Sequence, residues 1–151
     1  MRPLYLLGRA IFGGYFLYNG LNHLANRETM SQYAAAKGVA APEAAVATSG
    51  AMLLAGGLSI LAGAKARQGL ATIVAFLIPV SLQMHRFWEE TDPQKQMAEM
   101  VNFTKNMALV GAALMLLQLE HPWPVSVDEA VADNEEMFVH VGGRDLRALP
   151  A

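Results

Sequence analysis

The chain has no cysteine, and that one absence removes disulfide exchange, thiolate catalysis, iron–sulfur ligation and c-type haem attachment together. Any redox role must then rest on a bound organic cofactor or on a partner protein. Charge is scarce as well. Only 16% of the 151 residues are charged and the net balance is −2, which leaves no basic footprint for nucleic acid. No cleavable leader is evident either: the first apolar run is too long for the core of a signal peptide and no clear cleavage site follows it, so it reads as a retained first helix.

What remains is apolar. Hydrophobic residues make up 54% of the chain and the mean hydropathy is +0.27, which puts the membrane class first. A bilayer core of ~30 Å is crossed by roughly 20 apolar helical residues, and residues 4–24, 44–64, 70–84 and 101–119 approach or meet that length. The expected fold is all-α: an integral membrane, antiparallel four-transmembrane-helix bundle over residues 1–119, with an acidic extramembrane C-terminal tail over residues 120–151.

Local signals refine this plan. Arg9, in the opening turns of the first segment, reads as a side chain that reaches for the headgroups and marks the membrane edge. Thr29 and Gln32 have capping-box spacing, and Met30, Tyr33, Ala34 and Lys37 repeat at helical intervals, which predicts a short interfacial helix stopped at Gly38. Ala47, Ala51, Ala55, Ser59 and Gly63 form a strip of small residues, read as a helix-packing face. Pro79 interrupts the third segment and removes one backbone hydrogen bond. Asp92 followed by Pro93 is an N-cap and first-turn proline, so the fourth helix begins there and runs to about Gln118. In the tail, His121, Pro122, Trp123 and Pro124 break the helix, and residues 137–141 read as a short strand. Arg2, Arg9, Lys65 and Arg67 favour cytoplasmic termini, although Arg27, Lys37, Arg86, Lys95 and Lys105 sit at the opposite end.

Alternating helix direction brings three polar clusters to that opposite end. Asn19, Asn22 and His23 share a face of the first helix. The third ends in Gln83, His85 and Arg86, followed by Trp88 and Glu89. The fourth carries Glu99, Asn102, Lys105 and Asn106. A desolvated polar cluster between helices is where bundles build ligand sites, and the expected ligand-binding set is Asn19, Asn22, His23, Gln83, His85, Arg86, Trp88, Glu89, Asn102, Lys105 and Asn106. Lys105, three turns inside its helix, calls for a counter-ion such as Glu89 or Glu99. Two histidines without a spaced third ligand make a weak metal signal, and no metal or flavin site is expected. Nine methionines read as pliable packing.

The run from Gly8 and Arg9 to Phe16, Gly20 and His23 resembles the opening motif of the DoxX family. So do His85-Arg86-Phe87-Trp88 and the stretch from Asn102 to Leu109. The resemblance covers residues 4–118 and excludes the tail. It implies a four-helix integral membrane fold, a bacterial inner-membrane location and an association with redox metabolism, since the family takes its name from small subunits of a thiosulfate:quinone oxidoreductase.

From these residues and that resemblance, the leading expectation is a membrane redox-associated subunit that holds a quinone or quinol at the outer ends of helices one, three and four. It would be a subunit of a quinone-linked oxidoreductase, itself without assigned catalysis, and its electrons would come from a partner enzyme. Two readings from other classes stand beside it. One is a small-solute carrier anchored on Arg86 and Lys105, working as a homo-oligomer. The other is a non-catalytic scaffold whose tail recruits a soluble enzyme.

Overall fold

Prolines, an acidic cap and a few left-handed residues set the helix boundaries. In this computed structural model, which describes the backbone of residues 2–145 and the side chains of residues 3–137, the chain forms α1 (Arg2–Ala25), α2 (Arg27–Ala36), α3 (Pro42–Ala62), α4 (Ala66–Met84), a 3-10 turn (Phe87–Glu89), α5 (Pro93–Leu116) and α6 (Val127–Asp145). The Asp92 carboxylate accepts from the backbone N–H of Gln94 at 2.9 Å and of Lys95 at 3.1 Å, and Pro93 opens the helix, as expected. Gly63 takes φ 67° where α3 ends, the left-handed conformation that glycine adopts without a Cβ penalty. Thr29 caps nothing: α2 starts two residues earlier behind Asn26, and no side chain satisfies its first N–H groups.

The four long helices alternate in direction. Gly20 of α1 faces Gly50 and Leu54 of α3, while Gly13 faces Gly57 and Leu61, so the pair runs antiparallel. Gly56 of α3 meets Ile73 and Gly69 of α4 in the same sense, and Asn106 of α5 donates to the Ser81 hydroxyl of α4 at 3.1 Å. The core is built at these seams from Phe16, Leu53, Ile60, Leu70, Ile73, Leu77 and Ala113. The small-residue strip corrects the sequence reading in part. Ala51 and Ala55 lie exposed, and it is the glycines beside them, Gly50, Gly56 and Gly57, that let backbones approach. Packing runs from α1 to α3, from α3 to α4 and from α4 to α5, with no α1–α5 interface of comparable extent.

Much of the outer surface is apolar. Leu4, Leu7, Ile11, Tyr15 and Tyr18 repeat at helical spacing along α1, all exposed, a stripe that suits lipid better than water. By length and composition two helical stretches qualify to cross a membrane: Pro42–Ala62 and Ala66–Glu89, the latter including the 3-10 turn. The other two expected spans correspond to α1, interrupted by Arg9, Asn19, Asn22 and His23, and α5, which carries Lys95, Glu99 and Lys105.

The tail departs most from expectation. Trp123 is 1% exposed and belongs to the core, edge-on to Tyr5 at 6.0 Å with His121 stacked against it at 5.5 Å. Arg9 does not merely mark a membrane edge: its guanidinium donates to the carbonyls of Pro124 at 3.1 Å and Val125 at 2.7 Å. Asp128 accepts from the backbone N–H of Lys65 at 2.8 Å. The segment after α5 is therefore fastened to the end of the bundle that carries the start of α1 and the α3–α4 turn. Residues 137–141, read from sequence as a strand, continue α6.

Candidate functional site

At the other end of the bundle a carboxylate gathers three donors. Glu99, on the second turn of α5, is 8% exposed. It accepts from Lys37 Nζ at 2.7 Å and Tyr33 Oη at 3.3 Å on one oxygen, and from His85 Nδ1 at 2.7 Å on the other. Lys37 also reaches Glu90 at 3.3 Å, and its backbone carbonyl accepts from Gln83 at 3.1 Å and Arg86 at 3.3 Å. Charges withdrawn from water stay ionised only when paired this closely. Burial pushes the Glu99 carboxyl up, but Lys37 and His85 beside it outweigh burial and hold it below the usual carboxylate range. The hydrogen bond to Glu99 raises Lys37 above an ordinary lysine. Burial, with the Glu99 charge next to it, raises Tyr33.

These contacts fix α2 and the loop after it as a roof over a cavity of about 680 Å³. Met30, Tyr33, Ala34 and residues 39–41 form the roof. Apolar walls come from α1, α3 and α4, with Phe16, Leu53, Phe76 and Leu77 among them. Helix α5 contributes Lys105 and Asn106 alone. Because α1 and α5 do not close on each other, the cavity is flanked on that side by Tyr15 and Lys105, both exposed.

Of the eleven residues picked out by sequence, six line this cavity: Asn19, His23, Gln83, His85, Lys105 and Asn106. Asn19 donates to the Tyr15 carbonyl at 2.7 Å, and His23 Nδ1 bonds the Asn19 carbonyl at 2.8 Å. The other five lie outside the lining. Asn22 is occupied with Asn26 at 2.6 Å, Arg86 with Glu89 at 3.1 Å, and Trp88 packs edge-on to Phe87 and Phe103. Asn102 accepts from Lys105 Nζ at 3.2 Å.

One expectation is overturned. Lys105 is exposed and has no carboxylate within salt-bridge distance among the described residues, so neither Glu89 nor Glu99 is its counter-ion. The cation on Glu99 is Lys37. A signal for it existed: Lys37 falls on the same helical face as Met30, Tyr33 and Ala34, three residues that turn inward to the cavity. Ser81, fully buried, holds Asn106 in place and belongs to the site as its support.

A family model described as DoxX matches residues 4–86. No curated protein and no solved structure matches the chain.

Proposed function

The chain belongs to the DoxX family of membrane proteins, and from that premise we propose that α1, α3, α4 and α5 cross the bilayer as a four-helix bundle whose cavity binds the head of a quinone or quinol. The protein would then act as a redox-associated membrane subunit. The observation that carries this reading is the cavity itself: apolar walls with polar side chains from three helices gathered at one end, and a flank between α1 and α5 that faces where lipid would be. A ligand with an isoprenoid tail needs that combination, since its ring seeks hydrogen bonds while its tail stays in hydrocarbon.

In this reading His23, His85, Asn19, Gln83 and Asn106 surround the ring, and Lys105 stands at the entrance. Arg86 is committed to Glu89 and to the Lys37 carbonyl, which leaves it poorly placed as the anchor of a solute carrier. The end that carries Arg9, Lys65, Arg67 and the tail takes the cytoplasmic side, and the cavity opens near the other membrane face. Electrons reach or leave the ligand through a partner enzyme.

The test is equilibrium binding of a short-chain quinone and its quinol to the protein in lipid nanodiscs. Saturable binding of either form, weakened about tenfold or ~1.4 kcal/mol by His85→Ala, supports the reading. A folded protein that binds neither form saturably removes it.

A further inference from the structure

No carboxylate lines the cavity among the described residues. The lining groups that can carry charge near neutrality are Lys105, His23 and His85, and an imidazole is neutral or cationic whichever of its nitrogens hold protons. Uncharged donors stand beside them: the hydroxyls of Tyr15 and Thr48 and the amides of Asn19, Gln83 and Asn106. The lining therefore offers positive charge and hydrogen-bond donors, with nothing of negative charge to balance them.

Lys105 has no anion of its own. Six residues after Glu99 on α5, it stands ~9 Å further along the helix and about 120° around it, so the two side chains leave the helix in different directions. Glu99 is held by Lys37, Tyr33 and His85, Glu90 by Lys37 and Glu89 by Arg86. The Lys105 ammonium bonds the Asn102 amide oxygen at 3.2 Å, a neutral partner that accepts a hydrogen bond and leaves the charge uncompensated. Here the cavity opens between α1 and α5, with Tyr15 and Lys105 exposed on its flank. Where that flank meets lipid, as in the bundle proposed above, a lone cation is costly and calls for an anion.

We propose that the ligand supplies that anion: the cavity takes an amphiphile whose head bears a negative charge set against Lys105. Within the quinone class it prefers an ionised head, a quinolate or an acidic hydroxyquinone, to a neutral one. The hydroxyls and amides of the lining add hydrogen bonds to such a head, and no lining carboxylate repels it. This rests on the proposed quinone-class reading and adds the charge of the preferred head to it.

The experiment compares three probes binding to the full chain in nanodiscs of zwitterionic phosphatidylcholine, each measured above its partition into protein-free nanodiscs. They are a hydroxynaphthoquinone with a short alkyl tail, ionised at neutral pH; its methyl ether, which is neutral; and a fatty carboxylate with the same tail and no ring. The hydroxyquinone is expected to bind at least about tenfold more tightly than its ether. Lys105→Gln should bring the two together, and Lys105→Arg should keep them apart. The Lys105 hydrogen bond stays within α5, so neither change breaks a hydrogen bond between helices. Equal binding of hydroxyquinone and ether, or a preference that survives Lys105→Gln, overturns the charge selection and leaves a quinone-class site standing. A carboxylate that binds as tightly as the hydroxyquinone, with the same dependence on Lys105, supports the anion site and overturns the quinone-class reading. Absence of saturable binding for all three probes, with the protein folded, overturns both.

Discussion

Lys37 Nζ and Glu99 Oε1 stand 2.7 Å apart across 62 positions of sequence, and this contact ties the roof of the cavity to α5. The two side chains are 22% and 11% exposed. Lys37→Met should leave Glu99 with His85 and the Tyr33 hydroxyl and cost about 2 kcal/mol, less than the loss of a fully buried pair because some water reaches the lysine. Thermal unfolding in detergent measures it. Adding Glu99→Gln to Lys37→Met should recover part of the loss, since the uncompensated charge is then gone; simple additivity of the two losses would show that the pair is not coupled.

The same pair gives stability a pH dependence with a defined sign. Glu99 has a folded-state pKa below its ordinary 4.5, so its contribution is present above that value and fades as the pH falls below it. Lys37 is raised above its ordinary 10.5; its contribution is complete below 10.5 and is lost as the pH climbs past the folded value. The gap in melting temperature between the unsubstituted chain and Glu99→Gln should therefore be widest near neutrality and shrink on acidification below 4.5. A gap that stays constant from pH 7 to pH 3 would contradict the assignment.

How much of this was legible follows residue by residue. Helix starts with local chemistry are plain, as with Asp92 and Pro93, because a cap is a matter of three adjacent residues. The convergence of His23, His85 and Asn106 is legible too, because alternating helices of similar length must bring those ends together. Partners are harder. Lys105 reads as the cation in need of a carboxylate since it lies deeper in its helix, yet it is exposed on α5, and Lys37 reaches Glu99 from α2, whose repeat of Met30, Tyr33, Ala34 and Lys37 marks an inward face without saying which helix that face meets. Trp123 reads as part of a helix-breaking tail, while its large apolar ring finds burial against Tyr5, a long-range demand that the prolines around it conceal.

Arg9 holds the tail by two hydrogen bonds to backbone carbonyls. Arg9→Met keeps most of the apolar stem and removes both donors. Amide hydrogen exchange in residues 120–130 should quicken by tenfold or more, equivalent to ~1.4 kcal/mol of lost local protection. Because the contact lies at the end of the bundle away from the cavity, exchange in residues 30–41 should not change. Parallel quickening of both segments would mean that the tail supports the whole bundle rather than its own attachment.

The α1–α3 seam depends on backbone approach that only glycine allows. A Cβ at Gly57 would stand 2.6 Å from the Leu17 nitrogen, and one at Gly20 would stand 2.7 Å from the Leu54 nitrogen. Both obstacles are backbone, so no rotamer change relieves them and the helices must separate. Gly57→Ala should therefore destabilise by about 2 kcal/mol, in spite of alanine's better helix propensity. Gly111 of α5 meets nothing within 4 Å of its would-be Cβ, so Gly111→Ala should be neutral or stabilising by up to ~1 kcal/mol. Thermal unfolding of the two variants side by side separates propensity from packing: equal effects would mean that α1 and α3 are not seated this closely, and opposite effects place a close backbone contact at Gly57.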